Sequence, residues 1–317
     1  MGDGSSRLLD QTFVDRLRKM FDISDPRCLL PKVFFGISTK EAVDLALNPE
    51  RSDVSKEILL AAKKIRAANV HPDTNQIIFP AFRMCGYALF NAPITCGMLI
   101  PGQSLLKRIF WQALNQTHNA AINYSNRNAS QETSMATVLQ GYLGALISSV
   151  SIVVGLGETV KRLKFSAKTK NVLSRFIPFP AVSVAAVCNL VLMRKAELKT
   201  GIDLYDESGK LYGNSRVAAA EGLWATALTR VALCLPTLLV PPVVMLALEK
   251  GVLKRRPHWQ IPVQNIVCAV SFLVGLPFAI ALFPQEGSIE ARKLEKEFQG
   301  LKILDKPVTR FYYNKGL

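Results

Sequence analysis

Residues 109–126, IFWQALNQTHNAAINYSN, form the stretch around which the rest of the chain is organised, and they carry no formal charge. On an α-helix, at about 100° per residue, five carboxamide side chains of this stretch fall within an arc of roughly 80°: Gln112, Asn115, Asn119, Asn123 and Asn126. Because asparagine is a mediocre helix former, helix propensity does not explain this carboxamide row. Each carboxamide offers two donors and an acceptor without net charge. The row can therefore hydrogen-bond a small polar solute, or neighbouring helices, where water is scarce.

The composition and the charge distribution indicate a membrane protein. The chain of 317 residues is 49% hydrophobic, and its mean hydropathy is positive. Five neutral runs reach the roughly 17–25 residues that a helix needs to cross a bilayer: 84–106, 133–157, 176–193, 231–248 and 257–285. The predicted fold class is all-α: a multi-pass α-helical membrane protein with about five transmembrane helices, an extra Asn-rich amphipathic helix over 109–126 and a helical N-terminal segment.

The same distribution divides the chain into three regions. We expect residues 1–80 to form an amphipathic or soluble helical segment, residues 81–285 the transmembrane bundle with the Asn-rich helix, and residues 286–317 a C-terminal tail. Within the first region, side chains that commonly cap helices indicate three helix starts: at Thr12, at Ser38 with Glu41, and at Ser52 or Asp53.

The net charge of +15 is compatible with either a nucleic acid or a membrane surface as partner. Since the basic residues lie in the loops between the apolar runs, we expect anionic membrane lipid and no nucleic acid. Loops 158–175 and 249–256 hold six and four Lys and Arg residues, against three and five in the longer loops 101–136 and 194–225. With five spans, the N-terminus is predicted on the same side of the membrane as loops 158–175 and 249–256.

Residues 71–74, His-Pro-Asp-Thr, precede the first predicted span. Pro72 restricts His71 to extended conformations, and Asp73 can close a turn or cap the next element, so a rigid turn is one interpretation. The alternative is a gate or a ligand contact at the membrane face, made by His71, Asp73 and Thr74.

The sequence predicts no cofactor, no bound metal and no enzymatic activity. The six cysteines include no CxxC pair, and five of them lie inside predicted spans, where cysteine packs as a small apolar residue. The three histidines are scattered along the chain. There is no Gly-rich phosphate loop before a Lys-Ser/Thr pair and no nucleophile elbow.

The run Phe-Trp-Gln-Ala-Leu-Asn-Gln-Thr-His-Asn-Ala-Ala-Ile-Asn-Tyr-Ser-Asn-Arg-Asn at 110–128 resembles the asparagine-rich signature of the sideroflexin family. The resemblance covers nearly the whole chain and includes seven further motifs: Asp-Pro-Arg at 25–27, the 71–74 motif, Arg-Phe-Ile-Pro-Phe at 175–179, Leu-Met-Arg at 192–194, Pro-Pro at 241–242, Leu-Phe-Pro-Gln at 282–285 and Tyr-Asn-Lys-Gly-Leu at 313–317. Residues 140–145 and 179–182 most resemble the fifth paralogue of the family. Residues 48–53 depart from the family pattern, because they lack its Pro-Gly turn and following Trp.

The resemblance implies a multi-pass protein of the mitochondrial inner membrane that transports small metabolites. Several family members carry serine, with related small amino acids as further substrates, whereas the fifth branch is associated with citrate. One branch is linked to the assembly of respiratory complexes. The predicted orientation would then place the N-terminus on the matrix side. The family name comes from an iron phenotype, but the sequence offers no carboxylate or histidine cluster for iron.

Two hypotheses for function remain open on the sequence. In the first, the chain is a transporter whose substrate contacts the carboxamide row, with His71, Asp73, Thr74, Arg83 and Arg127 as further candidate site residues. A zwitterionic amino acid suits neutral donors and acceptors, whereas a tricarboxylate needs fixed cations, for which the candidates are Arg83, Lys107, Arg108, Arg127 and Arg230. The alternative role of these cations is to reach lipid headgroups.

In the second hypothesis, the chain is a membrane scaffold that transports nothing. The carboxamide row then holds helices together, with each hydrogen bond contributing about 0.6 kcal/mol. Prolines recur inside the predicted spans, as they do in the interrupted helices of transporters, although proline is also common in ordinary membrane helices. Neither the substrate nor the oligomeric state follows from these patterns.

Overall fold

The computed structural model describes residues 12–48, 54–71, 74–126, 134–207, 209–282, 286–300, 302–303 and 306–315. Its α-helices, in chain order, are α1 Phe13–Ile23, α2 Pro31–Phe35, α3 Thr39–Leu47, α4 Lys56–Asn69, α5 Tyr87–Leu99, α6 Leu105–Ser125, α7 Met135–Arg162, α8 Ala167–Ser174, α9 Pro178–Arg194, α10 Glu197–Thr200, α11 Arg216–Leu238, α12 Val240–Lys250, α13 Val252–Arg255 and α14 Gln260–Leu282. Its strands are β1 Ile202–Tyr205, β2 Leu211–Ser215, β3 Glu286–Glu290, β4 Lys302–Ile303, β5 Lys306–Pro307 and β6 Arg310–Asn314. The chain is thus largely helical, which confirms the predicted fold class.

Within the described ranges, four helical segments are long and apolar enough to cross a bilayer: Met135–Arg162, Ala167–Arg194, Arg216–Lys250 and Pro257–Leu282. Each overlaps one of the five predicted runs. The remaining run, 84–106, forms the shorter apolar segment Met84–Leu99. It ends early because Pro101 restricts Ile100 to an extended conformation, with φ −64° and ψ 123°.

Six of the described helices pack in a closed order that we call the helix ring. α5 contacts α6, α6 contacts α7, and the series continues through α9, α11 and α14 back to α5. α7 and α9 approach closely at Gly144, which has no side chain. A Cβ at this position would lie 2.2 Å from Leu192 Cδ1. Trp111 of α6 packs in an apolar cluster with Met98 of α5 and Cys234 of α11. The Asn-rich helix is therefore an integral part of the bundle.

A four-stranded antiparallel sheet, in the order β2-β1-β6-β3, was not predicted from the sequence. Leu204, Ala218, Ile289, Phe298 and Phe311 form its buried core. The sheet joins the predicted C-terminal tail to the predicted loop 194–225, because β6 pairs with both β1 and β3. The boundaries predicted at residues 80 and 285 stay predictions.

The neutral run predicted as the fourth span, 231–248, lies inside a longer helical segment, Arg216–Lys250. α11 begins at Arg216, fifteen residues earlier by subtraction, and the Ser215 side chain accepts a hydrogen bond from the amide of Ala218. Charged residues interrupt this part of the sequence, so the neutral run understates the length of the helix.

The front segment confirms two of the three predicted helix starts. Thr12 caps α1, and Ser38 with Glu41 forms a capping box at α3. The third start was placed too early, because α4 begins at Lys56 and is capped by Ser55. Ser52 and Asp53 themselves lie outside the described residues.

α1 attaches the front segment to the helix ring. The rings of Phe13 and Phe278 lie 6.1 Å apart, and Arg16 Nε donates a hydrogen bond of 3.0 Å to the Ala281 carbonyl near the end of α14. Behind α1, Cys28, Ala62 and Ile65 belong to a separate buried cluster. Burial raises the pKa of the Cys28 thiol to about 11.

All six cysteines are free, with Cys188 half-buried and the other five buried. This agrees with their interpretation as packing residues. No group of three or more His, Cys, Asp or Glu side chains that could hold a metal ion occurs in the part of the chain that the structure describes.

Candidate functional site

The Asn-rich helix begins one turn before the predicted boundary. α6 runs from Leu105 to Ser125, and the Ser104 side chain accepts a hydrogen bond from the Lys107 amide. The first turn therefore includes Arg108, and this brings a cation onto the same helix as the carboxamide row.

The burial of the carboxamide row decreases along α6. Gln112 and Asn115 are only 2% and 3% exposed, Asn119 and Asn123 are half-buried, and Asn126 is exposed. The row thus lies deepest in the protein at its N-terminal end.

Near this end, buried polar atoms of α6 have no hydrogen-bond partner among the described residues. They are Gln112 Oε1, Asn115 Nδ2, Gln116 Nε2 and His118 Nδ1. A buried polar atom without a partner costs roughly 1–3 kcal/mol, so most such atoms in folded proteins are satisfied by protein, water or ligand. Binding a small polar solute would break no hydrogen bond of these four atoms, but the side chains that enclose them would have to move first.

The middle of the row is bonded to α5. Tyr87 Oη donates a hydrogen bond of 3.0 Å to Asn119 Oδ1, and Asn91 Nδ2 donates to the same oxygen at 3.5 Å. Thr95 Oγ1 donates to Asn91 Oδ1 at 3.4 Å. This network links α5 to α6, so Asn119 acts as a contact between helices.

The C-terminal end of α6 is also bonded within the protein. Asn126 Nδ2 donates hydrogen bonds to the carbonyls of Phe82 and Ile122, at 2.9 and 2.8 Å. His118 Nε2 lies 3.1 Å from the Ala81 carbonyl, and its ring stacks on Tyr87. These contacts fix α6 against the residues that lead into α5.

A cavity of about 140 Å³ lies beside the N-terminal half of α6. Its polar lining comes from loop 101–104, α6, α7 and α8. The residues are Gln103, Arg108, Gln112, Lys161, Lys170, Asn171 and Ser174. Its apolar lining includes Met98, Ile100, Val153, Val160, Ile177 and Pro178. Gln112 is the member of the predicted carboxamide row that lines this cavity.

The cavity lining is positively charged. It contains Arg108, Lys161 and Lys170, and none of the described residues that line it is acidic. Lys161 is partly neutralised, since its Nζ lies 2.6 Å from Glu158 Oε1. The cavity therefore combines neutral carboxamides with cations that favour a carboxylate or phosphate group.

Among the described candidates outside α6, His71, Thr74 and Arg83 do not line the cavity. His71 is buried in a hydrogen-bonded turn, where its Nδ1 accepts from the Thr74 amide at 3.3 Å. Arg83 is buried, and its Nε donates to the Ile78 carbonyl at 2.7 Å. These contacts agree with the interpretation as a rigid turn. Asp73 and Arg127 lie outside the described residues, and a binding role for these side chains stays a prediction.

Sequence reasoning missed Gln116, Gln103 and Lys170. Widening the arc of the row from roughly 80° to about 100° would have included Gln116, which lies one turn after Gln112. Gln103 and Lys170 have no such signal, because folding alone brings them to the cavity from loop 101–104 and from α8.

The helix ring and its four long apolar segments define the class of this chain as a multi-pass α-helical membrane protein. A model of the family described as sideroflexins matches residues 5–317. The chain is 46% identical to human Sideroflexin-5 over 99% of its own length and 92% of that protein's length. It is 38% identical to Sideroflexin-5 of Caenorhabditis elegans, over 99% of this chain and 95% of the relative. It is 36% identical to Sideroflexin FSF1 of Saccharomyces cerevisiae, over 96% of this chain and 94% of the relative.

The chain therefore belongs to the sideroflexin family. No solved structure is significantly similar to it.

Proposed function

We propose that this chain transports a small polar metabolite across the mitochondrial inner membrane, with its N-terminus on the matrix side. The observation that carries the proposal is the position of Gln112, whose buried carboxamide lines the cavity with its Oε1 unpaired among the described residues. A helix that serves only to join its neighbours has no need of an unsatisfied acceptor. Gln112 lines the cavity, and its enclosed Oε1 can accept a hydrogen bond from a solute once the side chain turns towards that space.

The unpaired atoms of Asn115 and Gln116 extend this surface along α6 beyond the cavity. Because both side chains are buried, a solute reaches them only if the helices around α6 separate. We therefore place the first contact at Gln112 and a later contact at Asn115 and Gln116. Asn119, which already bonds to α5, would have to exchange that bond for one to the solute.

The candidate substrates are a serine-like amino acid and citrate. The cavity of about 140 Å³ is similar to the engineered cavity of about 150 Å³ that binds benzene, so it matches an amino acid as it stands and must widen for citrate. The charge of the lining favours carboxylate groups, which both substrates have and of which citrate has more. Because the cavity is open on one side, its volume does not exclude citrate, and an uptake panel decides between the two substrates.

A second function, that of a scaffold in the assembly of respiratory complexes, is supported by a different observation. Asn119 and Asn126 donate to or accept from neighbouring segments, as the role in joining helices requires. These bonds account for two members of the carboxamide row and leave Gln112 and Asn115 unexplained.

Uptake into proteoliposomes tests the proposal. The purified chain is expected to take up radiolabelled serine, alanine, cysteine or citrate in a saturable manner. Gln112→Leu should lower this uptake at least tenfold if it removes one hydrogen bond to a charged substrate, worth about 1.5–3 kcal/mol. Thr117→Ala, on the exposed side of the same helix, is the matched control and should retain normal uptake. Absence of saturable uptake for every compound would favour the scaffold.

A further inference from the structure

The cations at the cavity differ in how far the protein itself neutralises them. Lys161 is paired with Glu158. Arg108 lies within electrostatic range of Glu158, but its buried Nε has no hydrogen-bond partner among the described residues. Lys170 donates one hydrogen bond, of 2.6 Å, to the Lys161 carbonyl. An ammonium group has three donors, so Lys170 retains donors for a ligand.

We propose that Arg108 and Lys170, in the lining of this cavity, form a binding site for an oxyanion, a phosphate or carboxylate group. The site shares its cavity with Gln112, but it is defined by positive charge, whereas the carboxamide row offers neutral contacts. It does not depend on transport, because a protein that moves no solute can still bind an anion there.

The Arg108 side chain packs against Gly157 of α7, where there is no side chain to exclude it. A Cβ at Gly157 would lie 2.1 Å from Arg108 Nη1 and 3.1 Å from Cζ. The guanidinium therefore occupies the space that Gly157 leaves free. Since a guanidinium presents a planar fork of donors, it can bind two oxygens of one phosphate or carboxylate.

Lys170 approaches the cavity from α8. Its bond to the Lys161 carbonyl joins α8 to the last turn of α7, where the carbonyl groups of the helix are otherwise unsatisfied. Asn171 and Ser174, from the same helix, add polar groups to the lining. The two cations thus come from α6 and α8. The hydrogen bond from Lys170 joins α8 to α7, and the space at Gly157 of α7 accommodates Arg108 of α6.

The position of the site gives two possible sources for the oxyanion. α7 carries Lys161 and Arg162 in its last turn, as the ends of membrane helices commonly do. At this depth, the group could belong to an anionic lipid headgroup or to a soluble metabolite. Both sources share the chemistry that Arg108 and Lys170 recognise, and the cavity of about 140 Å³ accommodates only the charged group or a small molecule.

The test measures thermal unfolding of the full chain in nanodiscs. In the first arm, the discs contain only phosphatidylcholine, and inorganic phosphate or citrate is added at constant ionic strength. In the second arm, no such anion is added, and phosphatidylglycerol replaces part of the phosphatidylcholine. Stabilisation in the first arm identifies a soluble oxyanion, and stabilisation in the second arm alone identifies a lipid headgroup.

Two variants should lose the stabilisation for different reasons. Arg108→Gln removes the charge and should weaken the apparent Kd about tenfold or more. Gly157→Ala retains the charge but displaces the guanidinium, and it should still fold because the atoms it meets are the far end of a flexible side chain. Because Gly157→Ala leaves the total charge of the protein unchanged, loss of the stabilisation in this variant would show that the position of Arg108 is required.

Each variant has a matched control in the same region. Lys168→Gln removes an exposed charge from α8 that does not line the cavity. Gly155→Ala adds a methyl group to α7 where nothing lies within 4 Å. Both controls should respond as the unaltered protein does.

Two outcomes overturn the proposal: no stabilisation of the unaltered protein in either arm, or equal stabilisation of Arg108→Gln and the unaltered protein. Binding without any uptake by the same preparation would refute the proposed transport function and leave this site intact. Uptake without stabilisation in either arm would refute this site and leave the proposed transport function intact.

Discussion

At the scale of the residue, Gln112 and Asn119 belong to one row but have opposite hydrogen-bond situations. Asn119 accepts from Tyr87 and Asn91, whereas Gln112 Oε1 is buried without a partner among the described residues. Because removal of a satisfied bond and removal of an unsatisfied group have different costs, substitution by leucine separates their roles.

We predict that Asn119→Leu lowers the stability of the folded protein by about 0.6–1.7 kcal/mol, the range measured for hydrogen bonds between membrane helices. Gln112→Leu should leave stability unchanged or raise it, because an apolar side chain of similar size replaces an unpaired carboxamide. Thermal unfolding of both variants in one detergent measures the difference. Equal destabilisation would show that Gln112 is bonded inside the protein and has no free capacity for a solute.

Asp25 allows a prediction of pH dependence. Burial alone would raise the pKa of its carboxyl, but hydrogen bonds from Arg27 and from Lys64, which lies 2.8 Å away, hold the pKa well below its ordinary value. A carboxyl whose pKa is lower in the folded state stabilises that state above its unfolded pKa of about 3.9. This contribution is lost as the pH falls through the folded value.

We therefore expect the front segment to become less stable as the pH is lowered from about 5 to 3. Limited proteolysis of residues 12–71 at several pH values measures this change. Asp25→Asn should increase cleavage at pH 7 and reduce the dependence of cleavage on pH. Asp44→Asn, on α3, is the control. An unchanged pH profile in Asp25→Asn would exclude this carboxyl as the cause.

At the scale of the element, the N-terminus of α11 is capped by a residue 79 positions later in the chain. Glu295 Oε1 accepts hydrogen bonds from the amides of Arg216 and Val217, at 2.8 and 3.2 Å, and Oε2 accepts from Ser215 Oγ at 2.7 Å. A carboxylate at a helix N-terminus satisfies free amides and interacts favourably with the helix dipole. Glu295 thus joins the sheet region to a helix of the ring.

Glu295→Ala should destabilise the start of α11 by about 1 kcal/mol, within the range for a lost helix cap. Hydrogen exchange at the amides of Arg216 and Val217 should become faster, while Glu297→Ala, an exposed neighbour, should leave it unchanged. Unaltered exchange in the first variant would mean that the side chain of Glu295 is dispensable for the cap.

The elements that the sequence predicted well are those whose signals are local. Thr12 and Ser38 lie within four residues of the amides they cap, and the carboxamide row repeats within one helix. The sheet escaped prediction because its strands have only four or five residues and because β6 pairs with β1 across a long separation, as Tyr312 does with Tyr205. The early start of α11 escaped because charged residues interrupt the neutral run, and because Glu295, which adds to the local Ser215 cap, lies far away in the sequence.

The candidate site shows the same division. Gln112 was predicted because the periodicity of α6 places it on the row, and Arg108 was among the candidate cations. The cavity itself could not be predicted, because it exists only where Lys170 and Gly157 meet α6 in the folded protein. The unpaired state of Gln112 is likewise a property of packing that no sequence pattern records.

At the scale of the whole molecule, the helix ring places the carboxamide row of α6 within a bundle of helices. α6 packs between α5 and α7, so its buried polar side chains, such as Gln112 and Asn115, are enclosed by apolar helices. α1 contacts α14 at Phe278 and Ala281, and the sheet contacts α11, so segments outside the ring hold two of its members. Any opening of the ring beside α6 has to occur without breaking these attachments.

The central claim is that Gln112 faces a space within the membrane-spanning bundle that water and solute can enter. The most direct measurement is labelling of Gln112→Cys by a charged, water-soluble thiol reagent, with the protein in lipid vesicles. Ile147→Cys, exposed in the middle of the apolar segment Met135–Arg162, is the control that faces lipid. We predict that Gln112→Cys is labelled, that a transported substrate slows the labelling, and that Ile147→Cys stays unlabelled. Gln112→Cys as unreactive as the protein without the added cysteine would contradict the claim.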